Sequence, residues 1–487
     1  MVVTMGKKKL ADEETCCYGS AGAAGGVDDQ GRATELRPLA LSSPHTQAFH
    51  LAWLSLFACF FAAFAAPPIL PALRPALVLA PTDAPAAAVG SLSATLVGRL
   101  AMGPACDLLG PRRASGVASL LAARRRGHRS ASSPAGFVAL RFVTGLSLAN
   151  FVANQHWMSG IFAPSAVGLA NAVAAGWANV GSAAAQLVMP LAYELVLRLG
   201  VPVTVAWRVT YLLLPCALLV TTGLAVLAFP YDLPRGAGVG GGAKTRKSFW
   251  KVVRGGVGDY RAWVLALTYG YCYGVELIME NVAADFFRKR FHLPMEAAGA
   301  AAACFGAMNA VARPAGGVAS DAVARLFGMR GRLWVLWAVQ TAGAALCVLV
   351  GRMGAVEAPS LAATMVVMVA CAAFVQAASG LTFGIVPFVS KRSLGVVSGM
   401  TASGGAVGAI VTNRLFFSGA RYTIEEAISL TGGASLVCTL PLALVHFPRH
   451  GGMFCGPSTT AGGDDEDDDG DDAAAANDDH GDYMLLK

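Results

Sequence analysis

Eleven stretches of roughly twenty apolar residues, separated by short polar loops, occupy most of residues 49–447. A bilayer core is ~30 Å thick and takes about twenty helical residues to cross. Only helices or closed barrels satisfy every backbone group inside it. A chain patterned this way folds as a polytopic all-α membrane protein. The stretches run at about 49–66, 86–105, 134–155, 166–192, 205–229, 262–284, 296–319, 333–351, 359–387, 394–417 and 427–447. A further one, third in order, is defective: only 114–123 is apolar before Arg124, Arg125, Arg126, His128 and Arg129. Ten helical residues span only ~15 Å and do not cross. With 55% hydrophobic and 14% charged residues, the composition excludes an ordinary soluble enzyme of 487 residues.

The formal charge of +7 hides an asymmetry, because residues 464–487 hold eleven carboxylates and one Lys, which leaves +17 on residues 1–463. Basic residues cluster at Arg112/Arg113, at Lys244, Arg246, Lys247, Lys251 and Arg254, at Arg325/Arg330/Arg332 and at Lys391/Arg392. The positive-inside rule places those loops, and with them both termini, in the cytoplasm. Arg124 to Arg129 then fall on the wrong side. The expected organisation is a flexible cytoplasmic arm (1–48), an N-terminal helical half (49–229), a central cytoplasmic loop (230–260), a C-terminal half (261–448) and an acidic disordered tail (449–487). Lys7 to Lys9 are not followed by an apolar segment, so the first span is expected to direct insertion. Cysteines such as Cys59, Cys216, Cys347, Cys371 and Cys438 lie in apolar stretches and form no Cys-x-x-Cys pair, which fits free thiols.

The halves share a motif. Arg99, Gly103 and Asp107 match Arg313, Gly317 and Asp321 at an offset of 214 residues, and both copies run on into Gly and Arg, at Gly110/Arg112 and at Gly328/Arg330. This is read as duplication. Each Arg lies eight residues, ~12 Å of helix, inside the loop that holds the Asp, so both guanidiniums fall near the middle of the bilayer. A cation there costs at least ~2.5–3.5 kcal/mol unless a partner, water or a ligand offsets it. A structural ion pair would explain each arginine, but two in matching positions favour an anion, and Arg can hydrogen-bond two oxygens of a planar oxyanion at once. Gly103, Asp107, Arg112, Gly317, Asp321 and Arg330 are the candidate gating residues, through helix approach and a breakable charge contact.

A second repeated feature is glycine spacing, Gly176 to Gly181 in the fifth span and Gly399 to Gly408 in the eleventh. Tight helix contact explains such glycines, as does backbone approach to a ligand. Gly176, Gly181, Gly404, Gly405 and Gly408 are therefore candidate substrate-site residues, with the Asn179 amide as a donor. Intramembrane His156, Glu194, Glu276 and Glu280 are candidate proton carriers, with pairing at helix ends the competing reading. Tyr269, Tyr271, Tyr273, Phe60 and Phe61 would pack or flank a planar ligand. Gly236-x-Gly238-x-x-Gly241 imitates a dinucleotide fingerprint but has no strand before it. No P-loop, zinc spacing or Gly-x-Ser-x-Gly elbow occurs, so neither cofactor nor metal nor nucleic acid is expected, and the chain is not expected to be an enzyme.

The stretches FHLAWLSLFACF, RLAMGPACDLLGPR, AAGWANVGSAAAQLVMPLAYE, YGYCYGVEL, ARPAGGVASD, LFGMRGRLW and FGIVPFVSKRSLGVVSGM closely resemble plant high-affinity nitrate transporters of the nitrate/nitrite porter family, within the major facilitator superfamily, in collinear order over about 45–450. The resemblance implies twelve spans in two pseudo-symmetric six-helix bundles, alternating access, and proton-coupled nitrate uptake at the plasma membrane. It also implies dependence on a single-span accessory protein. The anion-holding arginines of that family match Arg99 and Arg313, and its glycine motifs match Gly176 to Gly181 and Gly399 to Gly408. Where the family carries Gly, Asn and Gly, this chain has Ala178, Ala406 and Ser403. Where the family has an apolar third span, Arg113 to Ser132 is basic between matching flanks, as a local reading-frame slip or misassigned exon would leave it. Translation of the coding DNA in the other two frames is then expected to show an apolar span there, and finding none removes that explanation. Two further readings stay open: a transport-inactive nitrate sensor or partner-binding protein, and a facilitator for another small anion such as nitrite.

Overall fold

The computed structural model describes residues 26–28, 31–41, 43–124, 133–229, 253–357, 360–390, 393–419 and 421–456. The acidic run of the tail, Lys244 to Lys251, the side chains of Arg124 and Asp107, residues 125–129 and the 391/392 basic pair lie outside the described residues or side chains.

The N-terminal half contains α1 (Pro44–Ala63), α2 (Leu70–Leu77), α3 (Asp83–Leu109), α4 (Pro111–Arg124), α5 (Pro134–Ser147), α6 (Asn150–Ile161), α7 (Pro164–Arg198), α8 (Val203–Arg208) and α9 (Leu214–Ala228). The C-terminal half contains α10 (Tyr260–Gly270), α11 (Tyr273–Phe291), α12 (Met295–Ala307), α13 (Asn309–Ala355), α14 (Leu361–Phe383), α15 (Leu394–Thr412) and α16 (Ile424–Thr439). Several spans are built from two helices. Thus α5 and α6 make the fourth span, α8 and α9 make the sixth across a π turn at Val209–Leu213, and α10 and α11 make the seventh.

Three expectations need correction. The first span does not stop at Pro67: a 3-10 turn at Pro67–Ile69 carries it on into α2, because a proline at the start of a helical turn gives up only an N–H that has no partner there. The arm before it is not wholly flexible, since Ala33 N–H donates to Ile161 O (2.9 Å), Ala163 N–H donates to Ala33 O (2.8 Å) and His45 Nε2 bonds Gly31 O (2.8 Å). The third position is filled by α4, whose described part is fourteen residues, ~21 Å of helix, rather than ten. Ser115 of α4 hydrogen-bonds Ser55 of α1 (3.1 Å), and Gly116 and Gly223 bring α4 and α9 into close approach.

The stretch α13 is two helices that meet at Gly328, whose non-helical φ of 60° and ψ of −148° only glycine adopts readily; α12 and the part of α13 before Gly328 make the eighth span, and the part after it makes the ninth. Nine described segments are long and apolar enough to cross a membrane; of these Tyr260–Phe291, the seventh span in the twelve-span count, has the lowest mean hydropathy over its most apolar eighteen residues, 1.2, yet 78% of those eighteen are buried. Val203–Ala228, by contrast, has 2.1 and 33%. The polar content of the seventh span therefore faces protein, at the seam between the halves, while the sixth faces the surroundings.

Small residues set that seam. A Cβ on Gly299 would overlap the Gln186 carbonyl, one on Gly306 would sit 3.0 Å from Ser182 Oγ, and one on Gly176 would sit 2.6 Å from Asn309 O, so α7 lies directly against α12 and α13. On the other side α3 meets α15, where Arg99 bonds the Ala402 carbonyl. Arg74 of α2 reaches Asp285 of α11 at 3.5 Å.

Candidate functional site

Arg99 of α3 and Arg313 of α13 come from opposite halves and meet at Tyr273, the first residue of α11. Their guanidinium carbons lie 5.4 and 5.3 Å from the centre of the Tyr273 ring, and they are 4% and 2% exposed. Each cation on an aromatic face gains ~0.5–2 kcal/mol, more when desolvated. Tyr269 stacks on Tyr273 at 5.1 Å, and Phe383 closes edge-on against Tyr269, also at 5.1 Å. Phe151 lies against Arg99 at 5.2 Å. Gly405 leaves room for these rings, since a Cβ there would meet Tyr273 Cδ1 at 2.5 Å.

The two arginines differ in how their charge is balanced. Arg313 Nη2 donates to Glu276 Oε2 (2.9 Å), Nε donates to Asn309 Oδ1 (3.2 Å), and Asn309 Nδ2 donates to Glu276 Oε1 (2.6 Å), which closes a buried triad. Arg99 has only neutral partners, Ala402 O at 2.5 Å and the Tyr273 hydroxyl at 3.3 Å, and its Nε has none. Among the described residues no carboxylate pairs with it. A buried donor without a partner costs ~1–3 kcal/mol, more when charged, so Arg99 is the member of the pair with capacity for an acceptor.

This changes several expectations. Glu276, in the first turn of α11, pairs near a helix end with Arg313, whereas Glu280 sits a turn further in and accepts from Ser182 Oγ of α7. Glu194 does pair near a helix end, with Arg198 at 3.0 Å. The Asn179 amide is not directed at the arginines, because Nδ2 donates to Ala175 O one turn back (3.0 Å). Gly176, Gly181, Gly404 and Gly408 face helix backbone: Asn309 O and Pro314, Phe57 O, Ala266 O and Gly270 O respectively. The eleventh-span motif reaches Arg99 through a backbone carbonyl, that of Ala402. Ala178 and Ala406 are fully buried, and Ser403 Oγ is buried without a partner.

The charged loop motif also has defined contacts. Arg112 Nη1 caps the end of α9 by donating to Val226, Leu227 and Phe229 carbonyls (3.2, 3.0 and 2.5 Å). Asp321 pairs with Arg332 across the Gly328 bend at 2.8 Å, and Arg332 also donates to Ser320 Oγ (2.7 Å). Arg330 donates to Met453 O (2.9 Å), just beyond the hairpin of β1 (His446–Phe447) and β2 (Gly451–Gly452). Gly317 approaches Ala172 of α7, where a Cβ would be 3.6 Å away, and Gly103 has open space around it.

The glycines therefore divide by experiment. Gly408→Ala puts a methyl into the Gly270 carbonyl and is expected to cost about 1–3 kcal/mol. Gly103→Ala meets nothing within 4 Å and is expected to be neutral or to stabilise α3 by up to about 1 kcal/mol. Thermal unfolding in detergent separates the two.

Sequence reasoning missed Arg141. It is 3% exposed on α5, donates to Ala63 O and to Asn281 Oδ1 (2.8 Å), and thereby ties α1 and α5 to α11. An arginine seven residues into an apolar stretch was the available signal. It has no counterpart in the repeated motif.

Two helical halves closed over a buried cationic centre, one cation from each half, define a membrane transporter of the two-bundle kind rather than an enzyme. The Major Facilitator Superfamily model matches residues 52–412. The chain belongs to that superfamily and, within it, to the plant high-affinity nitrate transporters. It is 80% identical to a probable high-affinity nitrate transporter 2.4 from Oryza sativa subsp. japonica, with all of both chains covered. To the high affinity nitrate transporter 2.7 of Arabidopsis thaliana it is 48% identical, over 89% of this chain and 90% of that one. Among solved structures it shares its fold with the inward-open xylose transporter XylE from E. coli, at a TM-score of 0.60 and 12% identity, covering 82% of this chain and 95% of that one.

Proposed function

We propose that this chain takes up nitrate across the plasma membrane by proton-coupled alternating access, with both termini in the cytoplasm and a single-span accessory protein as partner. The observation that carries the reading is Arg99: a buried guanidinium beside a neutralised Arg313, with Nε free and no carboxylate partner among the described residues. A monoanion at this point completes the charge balance. Nitrate is planar with three acceptor oxygens, which suits the guanidinium fork on Arg99, the face of Tyr273 and the second cation behind it. The substrate named for the rice and Arabidopsis relatives agrees.

Asp321 with Arg332, Arg112 on α9 and Arg330 on Met453 each hold the cytoplasmic end of one half together. Gating then consists of these stiffened ends, with Gly103, Asp107 and Gly317 on the facing helices, moving as units. Gly176, Gly404, Gly405 and Gly408 serve the site indirectly, by setting how closely α7 approaches α13 and how closely α15 approaches α10 and α11, which carry Tyr269 and Tyr273; Gly181 sets the approach of α7 to α1, and Asn179 bonds back to its own helix. The test is uptake of isotopically labelled nitrate by oocytes expressing this chain with the accessory protein, at two external pH values. Uptake that rises on acidification is expected. A surface-resident chain that moves no nitrate overturns the reading, and binding without accumulation identifies a sensor.

A further inference from the structure

Glu280 is the one buried carboxyl on α11 that the anion site does not use. It is 4% exposed and lies one helical turn beyond Glu276. Its Oε1 accepts from Ser182 Oγ, while its Oε2 is buried with no hydrogen-bond partner. No cation pairs with it among the described residues, whereas Glu276 is locked to Arg313 and Asn309. A carboxylate in such a place is far more costly than the neutral acid. Ser182 belongs to the N-terminal half and Glu280 to the C-terminal half, and Gln186 of α7 also donates to the Glu280 backbone carbonyl (2.6 Å). The immediate wall of Glu280 is therefore the surface on which the halves slide.

We propose that Glu280 is the proton-carrying residue of this transporter, with Glu276 as the fixed counter-ion of Arg313. The proposal rests on the reading of the chain as a proton-coupled anion transporter. In the closed arrangement seen here Glu280 holds the proton as the neutral acid against Ser182. When the halves part on the inner side, water replaces Ser182, the carboxylate becomes tolerable and the proton leaves to solvent. On the outer side the same carboxylate takes a proton from solvent before the halves close. One proton is bound and one released per cycle, and no other bond changes. The groups facing this carboxyl are Tyr273 and Glu276 on its own helix, Arg313 on α13, and Ser182 and Gln186 on α7. Arg141 on α5, also a buried cation, donates to Asn281, the residue after Glu280, and to Ala63 O. Of the facing groups only Glu276 and Arg313 carry charge, and they neutralise each other; Arg141 forms no ion pair with Glu280 among the described residues.

The test uses the full chain with its accessory protein in proteoliposomes and two readouts: labelled-nitrate accumulation driven by a pH gradient, and nitrate–nitrate exchange at equal pH. Glu280→Gln, which mimics the neutral acid, is expected to lose gradient-driven accumulation and keep exchange. Glu280→Asp is expected to keep accumulation with a displaced pH profile. Gradient-driven accumulation by Glu280→Gln at the parental level overturns the proposal. So does loss of exchange in Glu280→Gln when Glu280→Asp shows the parental pH profile, since Glu280 is then structural. If the parent exchanges nitrate but accumulates none under a pH gradient, it is the proton-coupled reading that fails, and the parent shows this before any variant is made.

Discussion

Arg99→Lys is expected to lower nitrate uptake at sub-saturating concentration by about 10–100-fold, with the amount of protein at the surface unchanged. Arg99 already divides its fork between Ala402 O and the Tyr273 hydroxyl, with Nε left over for an anion oxygen. A lysine keeps the charge but has one nitrogen and no planar face to lay on Phe151 and Tyr273. A charge-assisted hydrogen bond is worth ~1.5–3 kcal/mol, and each ~1.4 kcal/mol is tenfold in affinity. The loss is expected as a higher half-saturating nitrate concentration, measured by concentration-dependent uptake. Parental uptake by the lysine variant would remove Arg99 from the binding step.

The second large effect concerns the buried pair. Glu276→Ala leaves Arg313 buried without its counter-charge, and breaking such a pair from one side typically costs ~3–5 kcal/mol. Replacing both partners with similarly sized apolar residues removes the desolvation cost along with the attraction, so the double variant Glu276→Met/Arg313→Met is expected to unfold at a higher temperature than Glu276→Ala. It is nonetheless expected to bind no nitrate. Thermal unfolding in detergent, paired with a nitrate-binding measurement, gives both numbers. A single variant as stable as the double one would show that Glu276 does not carry the balancing charge.

The two arginines and the duplicated motif were legible because a mid-membrane charge is rare and costly, so its position in an apolar stretch is informative by itself. The role of Glu276 was not legible. A glutamate near the start of a helix looks the same in sequence whether it meets solvent, a helix dipole or an arginine 37 residues away. Tyr273 was one of five aromatics with equal claim, and only the crossing of α3, α11 and α13 selects it. The glycines showed the opposite difficulty. Their spacing was plain, but spacing does not distinguish a glycine that admits a ligand from one that admits a helix, and Gly176, Gly404 and Gly408 proved to admit helices.

By itself the sequence determined that this chain is a helical membrane protein with duplicated halves and an intramembrane arginine at the matching position of each. It could do so because the thickness and low polarity of a bilayer constrain any one segment independently of the others. Only the tertiary structure decided which of those arginines is neutralised. Charge compensation in a low-dielectric interior is a matter of contact at about 3 Å, and contact between residues on different helices depends on how small residues let those helices approach.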